Sequence, residues 1–282
     1  MNADPVVVVD GLLFPESPRW HQGALWFSDM YAGRVCRFDP ETHVVETVLE
    51  LDDRPSGIGW LPDGRMLVVS MAERRVLRLD PLGLAVHADL RPFTTGHAND
   101  MVVGPDGRAY VGNFGAGYSE GQDVEPANLV IVEPDGSTRA GPGGLLFANG
   151  TVISPDGKRL IVAEGFGRRL TEFDISRDGS LENRRQFADL GEIPDGIALD
   201  ADGGVWAAMP LGQDFVRVER GGNVTSRIPV GPSGAFACAL GGADRRQLFM
   251  CVAIGTPEEI RERRSRGQIL MTTVPAAGVG WP

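Results

Sequence analysis

One short pattern recurs six times along the chain and constrains its fold more than any other feature of the sequence. Each copy has a polar or small residue, a short apolar run and a turn marked by Asp-Gly or a close equivalent. The leading residue stands seven positions before the turn aspartate, or before Gly23 in the first copy, and the copies are 40 to 50 residues apart. Such self-similarity identifies an internal repeat. The leading residues are Glu16, Ser56, Asn99, Asn149, Asp195 and Ala237.

A β-rich run follows each turn, for example ALWFS at residues 24–28 and RLIVA at residues 159–163, and most copies contain a third such run. Strand, tight turn, strand, loop and strand at a near-constant period are typical of a propeller blade. The 38 glycines and 20 prolines, without sustained helical periodicity, agree with a chain that reverses often. The sequence therefore predicts an all-β fold, a six-bladed β-propeller, in a single domain covering residues 1–282.

Two segments lie outside the simple repeat. Residues 6–9 are all valine and precede the first copy. In the last copy, no further β-rich run follows residues 267–274. We expect residues 6–9 to complete the last blade and close the ring, which removes an exposed sheet edge. Residues 256–264 begin with a threonine and a proline, and acidic residues precede the basic ones. This pattern predicts a short helix inserted in the last blade.

Bulk properties narrow the possible functions. The chain is long enough to bury an ample core, so Cys36, Cys238 and Cys251 are expected to be reduced core residues. We find neither a signal-peptide pattern nor an apolar run of membrane-spanning length, which predicts a cytoplasmic protein. The formal charge of −11 argues against nucleic acid or anionic membrane as a partner and leaves a small-molecule substrate. The oligomeric state does not follow from the sequence.

The six leading residues are expected to meet around the propeller axis, because the first strand of each blade lines the central channel. Four of them carry carboxylate or amide oxygens: Glu16, Asn99, Asn149 and Asp195. Oxygen donors without histidine or cysteine favour one hard divalent cation, Ca²⁺ ahead of Mg²⁺, Mn²⁺ and Zn²⁺. Polar residues at strand entrances can also simply satisfy backbone groups. Their identical register favours a metal site, because buried carboxylates are costly without a cation.

Four short segments, taken in this order and spacing, resemble the senescence marker protein (regucalcin) and gluconolactonase family of metal-dependent six-bladed propellers. The resemblance implies that Glu16, Asn149 and Asp195 bind the metal. It also implies that Asn99 contacts the metal environment and the substrate, and that Asp195 is the general base. The segments are FPESPRW at residues 14–20, ANDMVVGPDGR at 98–108, ANG at 148–150 and IPDGIALD at 193–200.

Such a site favours a metal-dependent hydrolase, most readily a lactonase, in which the cation polarises the lactone carbonyl and a carboxylate activates water. The sequence has no nucleophile elbow, Walker-type phosphate loop or dinucleotide fingerprint. Two alternatives stay open. The first is another enzyme on the same scaffold, such as a phosphotriesterase-like hydrolase or a biosynthetic lyase or cyclase. The second is a non-catalytic calcium-binding propeller, although Ser56 and Ala237 are poor ligands and favour open coordination.

The substrate side of the site departs from the family pattern. Sugar-lactone members carry an arginine two residues before the asparagine of the third blade, where this chain has His97. His97 could contact substrate oxygens or pack in a loop, and Asp100, beside Asn99, is a further substrate-binding candidate. The predicted rim is rich in apolar side chains, which favours a lactone or ester less polar than a sugar. These rim residues are Met30, Met71, Phe114, Tyr118, Phe166 and Met209, of which Phe114, Phe166 and Met209 are predicted to bind substrate.

Overall fold

The computed structural model describes residues 4–117 and 124–280, which form six four-stranded antiparallel sheets. In chain order the first twelve strands are β1 Val6–Leu12, β2 Pro15–His21, β3 Ala24–Asp29, β4 Arg34–Asp39, β5 Val44–Glu50, β6 Pro55–Trp60, β7 Met66–Ser70, β8 Arg75–Asp80, β9 Gly83–Asp89, β10 Ala98–Val103, β11 Ala109–Asn113 and β12 Val130–Val132. The other twelve are β13 Thr138–Ala140, β14 Ala148–Ile153, β15 Arg159–Glu164, β16 Arg169–Ile175, β17 Leu181–Asp189, β18 Ile197–Leu199, β19 Val205–Met209, β20 Asp214–Val218, β21 Val224–Pro229, β22 Gly234–Gly241, β23 Gln247–Ile254 and β24 Arg266–Thr273.

The sheets are the blades of a six-bladed β-propeller, as predicted. Each inner strand packs beside the inner strand of the next blade, and β22 of the sixth blade packs beside β2 of the first. The inner strands are β2, β6, β10, β14, β18 and β22, so every leading residue of the repeat lies on or just before one of them. Apolar side chains from adjacent blades fill the space between the sheets.

The turn from the first to the second strand of a blade has one repeated construction. Oδ1 of Asp63 accepts a hydrogen bond from the backbone N–H of Arg65 at 3.0 Å, and Oδ1 of Asp106 accepts one from Arg108 at 3.0 Å. The glycine after each aspartate has a positive φ, +87° at Gly64. Asp-Gly thus combines a side-chain acceptor with a residue that tolerates the left-handed region.

The N-terminal strand closes the ring. Strand β1 pairs antiparallel with β24, and the sixth sheet has the order β1, β24, β23, β22. Val9 and Leu12 are buried against this blade, whereas Val6 and Val7 are about half exposed. The prediction that the valine run completes the last blade is confirmed, and β1 covers the edge of β24.

The short helix predicted in the last blade is also present. Helix α1, Pro257–Arg261, lies between β23 and β24. Thr256 Oγ1 accepts from the backbone N–H of Glu259, while the Glu259 carboxylate accepts from the backbone N–H of Thr256. This reciprocal pair is a capping box, which explains how so short a helix is held at its first turn.

The three cysteines are buried free thiols, as expected. Burial raises the pKa of Cys36 to about 11 and raises those of Cys238 and Cys251 above the usual value. These thiols are therefore protonated and packed at neutral pH. Within residues 4–117 and 124–280, no helix has the length and apolar character needed to cross a membrane.

Candidate functional site

A recurring irregularity in the inner strands shapes the mouth of the channel. In β2, β6, β10, β14 and β22 the inner strand carries one more residue than its partner at or beside the leading residue. In β10, for example, Ala98 pairs with Asn113 but Met101 pairs with Val111. An extra residue of this kind is a β-bulge, which bends the strand and changes the direction of its side chains. In the first blade Ser17 takes a positive φ of 48° directly after Glu16.

Glycines let the inner strands come closer than side chains would allow. The residue after the leading residue is glycine in three blades, at Gly57, Gly150 and Gly196. A Cβ on Gly150 would lie 2.5 Å from the backbone N of Ile197 in the next blade, and one on Gly196 would lie 2.6 Å from Cα of Ala237. These separations exclude any side chain. The glycines therefore bring the leading residues of neighbouring blades close together. The sequence prediction did not include this role, although the Ser-Gly, Asn-Gly and Asp-Gly pairs indicate it.

The polar leading residues of four consecutive blades form a hydrogen-bonded series. Ser56 Oγ donates to Asn99 Oδ1 at 3.4 Å, and Asn99 Nδ2 donates to Asn149 Oδ1 at 3.0 Å. The Asn149 side chain in turn donates to the carboxylate of Asp195. The structure thus brings together residues that are up to 139 positions apart in sequence, from Ser56 to Asp195. Each member fixes the orientation of the next, so the amide oxygens have defined positions.

The two leading carboxylates lie in an environment that disfavours their charged forms. Burial raises the pKa of Glu16 well above its usual value, and the nearby charges of Asp195 and Asp100 raise it further. Burial and the Asp100 charge raise the pKa of Asp195 to about 8, against hydrogen bonds from Asn149 and the Gly196 backbone. The site therefore concentrates negative charge where water cannot screen it.

Below the ring, a buried ion pair spans the channel. Arg19 Nη2 donates to Asp100 Oδ1 at 2.8 Å and to the carbonyl oxygen of Met101 at 2.7 Å. Both side chains are only 8% exposed. Asp100, a predicted substrate contact, is thus engaged by Arg19, whose part in the site was missed. The signal was available, because an arginine inside a buried strand three residues after Glu16 requires a partner.

The donor set fits a hard divalent cation. Glu16 and Asp195 supply anionic oxygens, while Asn149 and Asn99 supply amide oxygens at the same level of the channel. The described parts of the chain contain no cluster of three or more His, Cys, Asp and Glu side chains suited to a metal. A cation at this ring would therefore need amide oxygens in addition to the two carboxylates, as Ca²⁺ sites commonly have. Its charge would also offset the repulsion between Glu16 and Asp195.

A second ring surrounds the mouth, formed by the residues two positions before each leading residue. In the first four blades its members are held by the same backbone hydrogen bond from the loop after the second strand. The carbonyl of Phe14, for example, accepts from Met30 N–H at 3.0 Å, and that of His97 accepts from Phe114 N–H at 3.0 Å. Four of the six members are apolar. The ring comprises Phe14, Arg54, His97, Phe147, Ile193 and Ala235.

Aromatic side chains continue from this second ring into the rim. Phe114 stacks on Phe147 with ring centroids 4.5 Å apart, and Phe147 contacts Phe166 at 4.9 Å. On the other side Phe14 contacts Phe236 at 4.5 Å and Tyr31 at 5.6 Å. The Arg54 guanidinium lies 5.8 Å from the centroid of Tyr31 and 3.3 Å from His97 Nδ1. His97 in turn contacts the Phe114 ring at 6.2 Å.

The remaining predicted rim residues have different surroundings. Met30 and Met71 are buried beneath the aromatic side chains. Met209, expected to contact substrate, is 3% exposed and packs in the core between the fourth and fifth blades. The sequence placed it in the rim because it ends a second strand, but its side chain points to the blade interface. Tyr118 lies outside the described residues.

Comparisons with known proteins agree with this architecture. The family described as SMP-30/Gluconolactonase/LRE-like region matches residues 14–254. Regucalcin of Xenopus laevis is 27% identical over 277 residues, which cover 92% of this chain and 89% of that protein. Pentonolactonase XacC of Haloferax volcanii is 26% identical over 246 residues, covering 85% and 81%. The same fold is found in the crystal structure of a calcium-binding protein, regucalcin, from Agrobacterium tumefaciens, with a TM-score of 0.83. The two chains are 19% identical, and the match covers 100% of this chain and 97% of that one.

Proposed function

The chain belongs to the SMP-30/gluconolactonase/LRE-like family, and from that premise we propose that it is a metal-dependent hydrolase that opens a lactone ring. The observation that carries the proposal is the convergence of Glu16, Asn99, Asn149 and Asp195 at one level of the channel, with the pKa of both carboxyl groups raised. Relatives named pentonolactonase and regucalcin support the reaction class and a divalent cation.

Glu16, Asn149 and Asp195 would hold the cation, with Ca²⁺ the ion that the oxygen donors favour. When bound, the cation supplies Lewis acidity toward the lactone carbonyl and charge stabilisation for the developing oxyanion. Ala237 has no side-chain oxygen and the Ser56 hydroxyl is bonded to Asn99, which leaves the remaining positions to substrate and water.

Asp195 acts as the general base on the hydrolytic water. The carboxylate accepts a proton as the water oxygen bonds to the carbonyl carbon, and the bond between the carbonyl carbon and the ring oxygen then breaks. The proton passes to the departing ring oxygen, so the product is a hydroxy acid. Asn149 orients the Asp195 carboxylate through its hydrogen bond, and Asn99, held between Ser56 and Asn149, orients the substrate oxygen.

The apolar second ring favours substrates less polar than sugar lactones. Phe14, Phe147, Ile193 and Ala235 present no hydrogen-bonding side chain to a hydroxylated ring. The stacked Phe114 and Phe147 rings would also limit the access of water to a bound lactone, which would strengthen electrostatic interactions at the reacting atoms.

A substrate panel tests the proposal. The protein, stripped with a chelator and reloaded with Ca²⁺, Mg²⁺, Mn²⁺ or Zn²⁺, is assayed against sugar lactones, aromatic lactones, aryl esters and phosphotriesters by acid release. We expect lactone hydrolysis that requires a cation and is lost in Glu16→Gln and Asp195→Asn. Hydrolysis of phosphotriesters without any lactone turnover would instead support another enzyme on this scaffold, and cation binding without turnover would support a non-catalytic calcium-binding propeller.

A further inference from the structure

Arg54 is the one strongly charged member of the apolar second ring. Its backbone lies directly before β6, two residues ahead of Ser56, and its carbonyl accepts from Met71 N–H at 3.1 Å. The side chain is partly buried between Tyr31 and His97. Arginine at such a place loses part of its hydration, so it requires acceptors for its five N–H groups.

The described residues provide Arg54 with no carboxylate within salt-bridge distance. The adjacent Asp53 is used elsewhere, because its Oδ2 accepts from Ser70 Oγ at 2.6 Å and from the backbone N–H groups of Ala72 and Glu73 at 2.9 and 3.0 Å. The side-chain contacts of Arg54 are instead His97 Nδ1 at 3.3 Å and the face of Tyr31. Neither partner carries a negative charge that could balance the guanidinium.

The contact with His97 also positions the Arg54 guanidinium. A guanidinium has donors only, so His97 Nδ1 accepts in this contact. The contact therefore joins the second and third blades at the mouth and holds the Arg54 guanidinium there. Ser56 and Asn99, two residues further along the same inner strands, bond to each other in the ring below.

We propose that Arg54 binds a carboxylate carried by the substrate, so that the substrate is an apolar lactone bearing a carboxylate group. Arg54 is suited to this ligand because its planar fork matches a carboxylate in a bidentate geometry. Two residues of an extended strand span about 7 Å, so the carboxylate would lie about that distance from the lactone carbonyl at the metal ring. Phe14, Phe147, Ile193 and Ala235 would surround the apolar body between them.

This inference deepens the proposed function and rests on it for the lactone, but the anion site itself is tested separately. Phthalide-3-acetic acid and its methyl ester form a matched pair that differs in the charge of the side group and by one methyl group. The ratio of their kcat/KM values is measured in wild type, Arg54→Met and Arg54→Lys, with Arg177→Met as the control. Arg177 is exposed in the turn after β16 and loses the same charge.

We expect wild type to prefer the acid by at least tenfold and the control to keep that preference. In Arg54→Met the ratio should fall toward one, chiefly through KM for the acid, and Arg54→Lys should recover part of it. An equal rate for acid and ester in wild type, or a ratio unchanged in Arg54→Met, would overturn the inference while leaving lactone hydrolysis intact.

Binding of phenylacetate to the chelator-treated protein, measured by calorimetry, gives a readout that needs no turnover. We expect Arg54→Met to weaken this binding at least tenfold relative to wild type and Arg177→Met, with melting temperatures showing that all variants fold. Arg54-dependent binding in a protein that hydrolyses no lactone would support the anion site and overturn the proposed reaction. Phenylacetate binding that is absent in wild type or independent of Arg54 would overturn the anion site.

Discussion

The side chains of Asn99 and Asn149 meet at the channel mouth, where Asn99 Nδ2 lies 3.0 Å from Asn149 Oδ1 although 50 residues separate them in the chain. Each occupies the leading position of its repeat. The bond joins the predicted substrate contact of the third blade to a predicted metal ligand of the fourth. It therefore couples the orientation of the substrate to that of the metal site.

Removing Asn149 should disrupt both sides of this contact. In Asn149→Ala the cation loses a proposed ligand, Asn99 loses its acceptor and Asp195 loses a donor. We therefore expect Ca²⁺ affinity to fall by more than roughly 10- to 100-fold, the cost of losing a group that only orients metal ligands. Lactone kcat/KM should fall at least as far. The comparison variant is Ser56→Ala, which removes a 3.4 Å contact to Asn99 but none to Asp195 and should lower Ca²⁺ affinity much less. Calorimetry measures the Ca²⁺ affinity of both variants. Equal losses of affinity would show that Asn149 has no special part in cation binding.

The two carboxylates should destabilise the protein when no cation is present. Burial raises the pKa values of Glu16 and Asp195, the latter to about 8, so their charged forms are disfavoured in the fold. In a chelator at pH 8, Glu16→Gln and Asp195→Asn should therefore melt a few degrees above wild type, about 2–6 °C. With excess Ca²⁺ the order should reverse, because wild type gains the free energy of ligand binding. The control is Asp202→Asn, a change at an exposed aspartate. The melting temperatures are measured by calorimetry with and without Ca²⁺.

The same shift predicts how stability depends on pH. The unfolded carboxyl of Asp195 titrates near pH 4 and the folded one near pH 8. Between these values the folded protein binds more protons than the unfolded chain, so the free energy of unfolding in chelator should decrease as pH rises from about 4 to about 8. The free energy of unfolding, measured with urea at a series of pH values, should decrease less steeply with pH for Asp195→Asn than for wild type. The same dependence on pH in the two proteins would contradict the raised pKa.

A methyl group at Gly150 should push two blades apart. A Cβ there would lie 2.5 Å from Ile197 N and 2.6 Å from Gly196 Cα, both backbone atoms that cannot rotate away. We expect Gly150→Ala to lower the free energy of unfolding by roughly 1–3 kcal/mol, as overpacking does, and to weaken Ca²⁺ binding as Asn149 and Asp195 separate. Gly143→Ala is the control, because its Cβ would meet only Asn128 Cβ at 4.0 Å. Unchanged unfolding and cation binding in Gly150→Ala would mean that the ring does not depend on this close approach.

The closing strand should contribute through its buried residues. Leu12 is 4% exposed in β1 and packs in the cluster between the sixth and first blades, whereas Val7 in the same strand is 51% exposed. Leu12→Ala should lower the free energy of unfolding by about 2–4 kcal/mol, since it leaves a cavity where the ring closes. Val7→Ala should change it by less than about 0.5 kcal/mol. Urea unfolding monitored by tryptophan fluorescence compares the two, and equal effects would argue against a structural role for the closure.

The sequence alone determined the blade count and the short helix, because these features are local. It also predicted the closure by the valine run, a pairing between the two ends of the chain, because a last blade that lacks one strand leaves an unpaired sheet edge. Asp-Gly turns, alternating strands and a helix cap are each encoded within about ten residues. The repeat register also nominated Glu16, Asn99, Asn149 and Asp195, since equivalent positions in a closed ring must face one axis. The fold therefore needed no information beyond the order of the residues, and the same register is the basis for predicting where the site lies.

Only the tertiary structure decided which side chains contact one another across blades. The Arg19–Asp100 pair joins the first and third blades, and Arg54 of the second blade contacts His97 of the third. Met209 turned into the core where the sequence placed it in the rim. These outcomes depend on the bulges and glycine contacts that set how closely the inner strands approach. A one-residue shift reverses the face of a strand side chain, so such contacts follow from packing between blades and not from the pattern within any one of them.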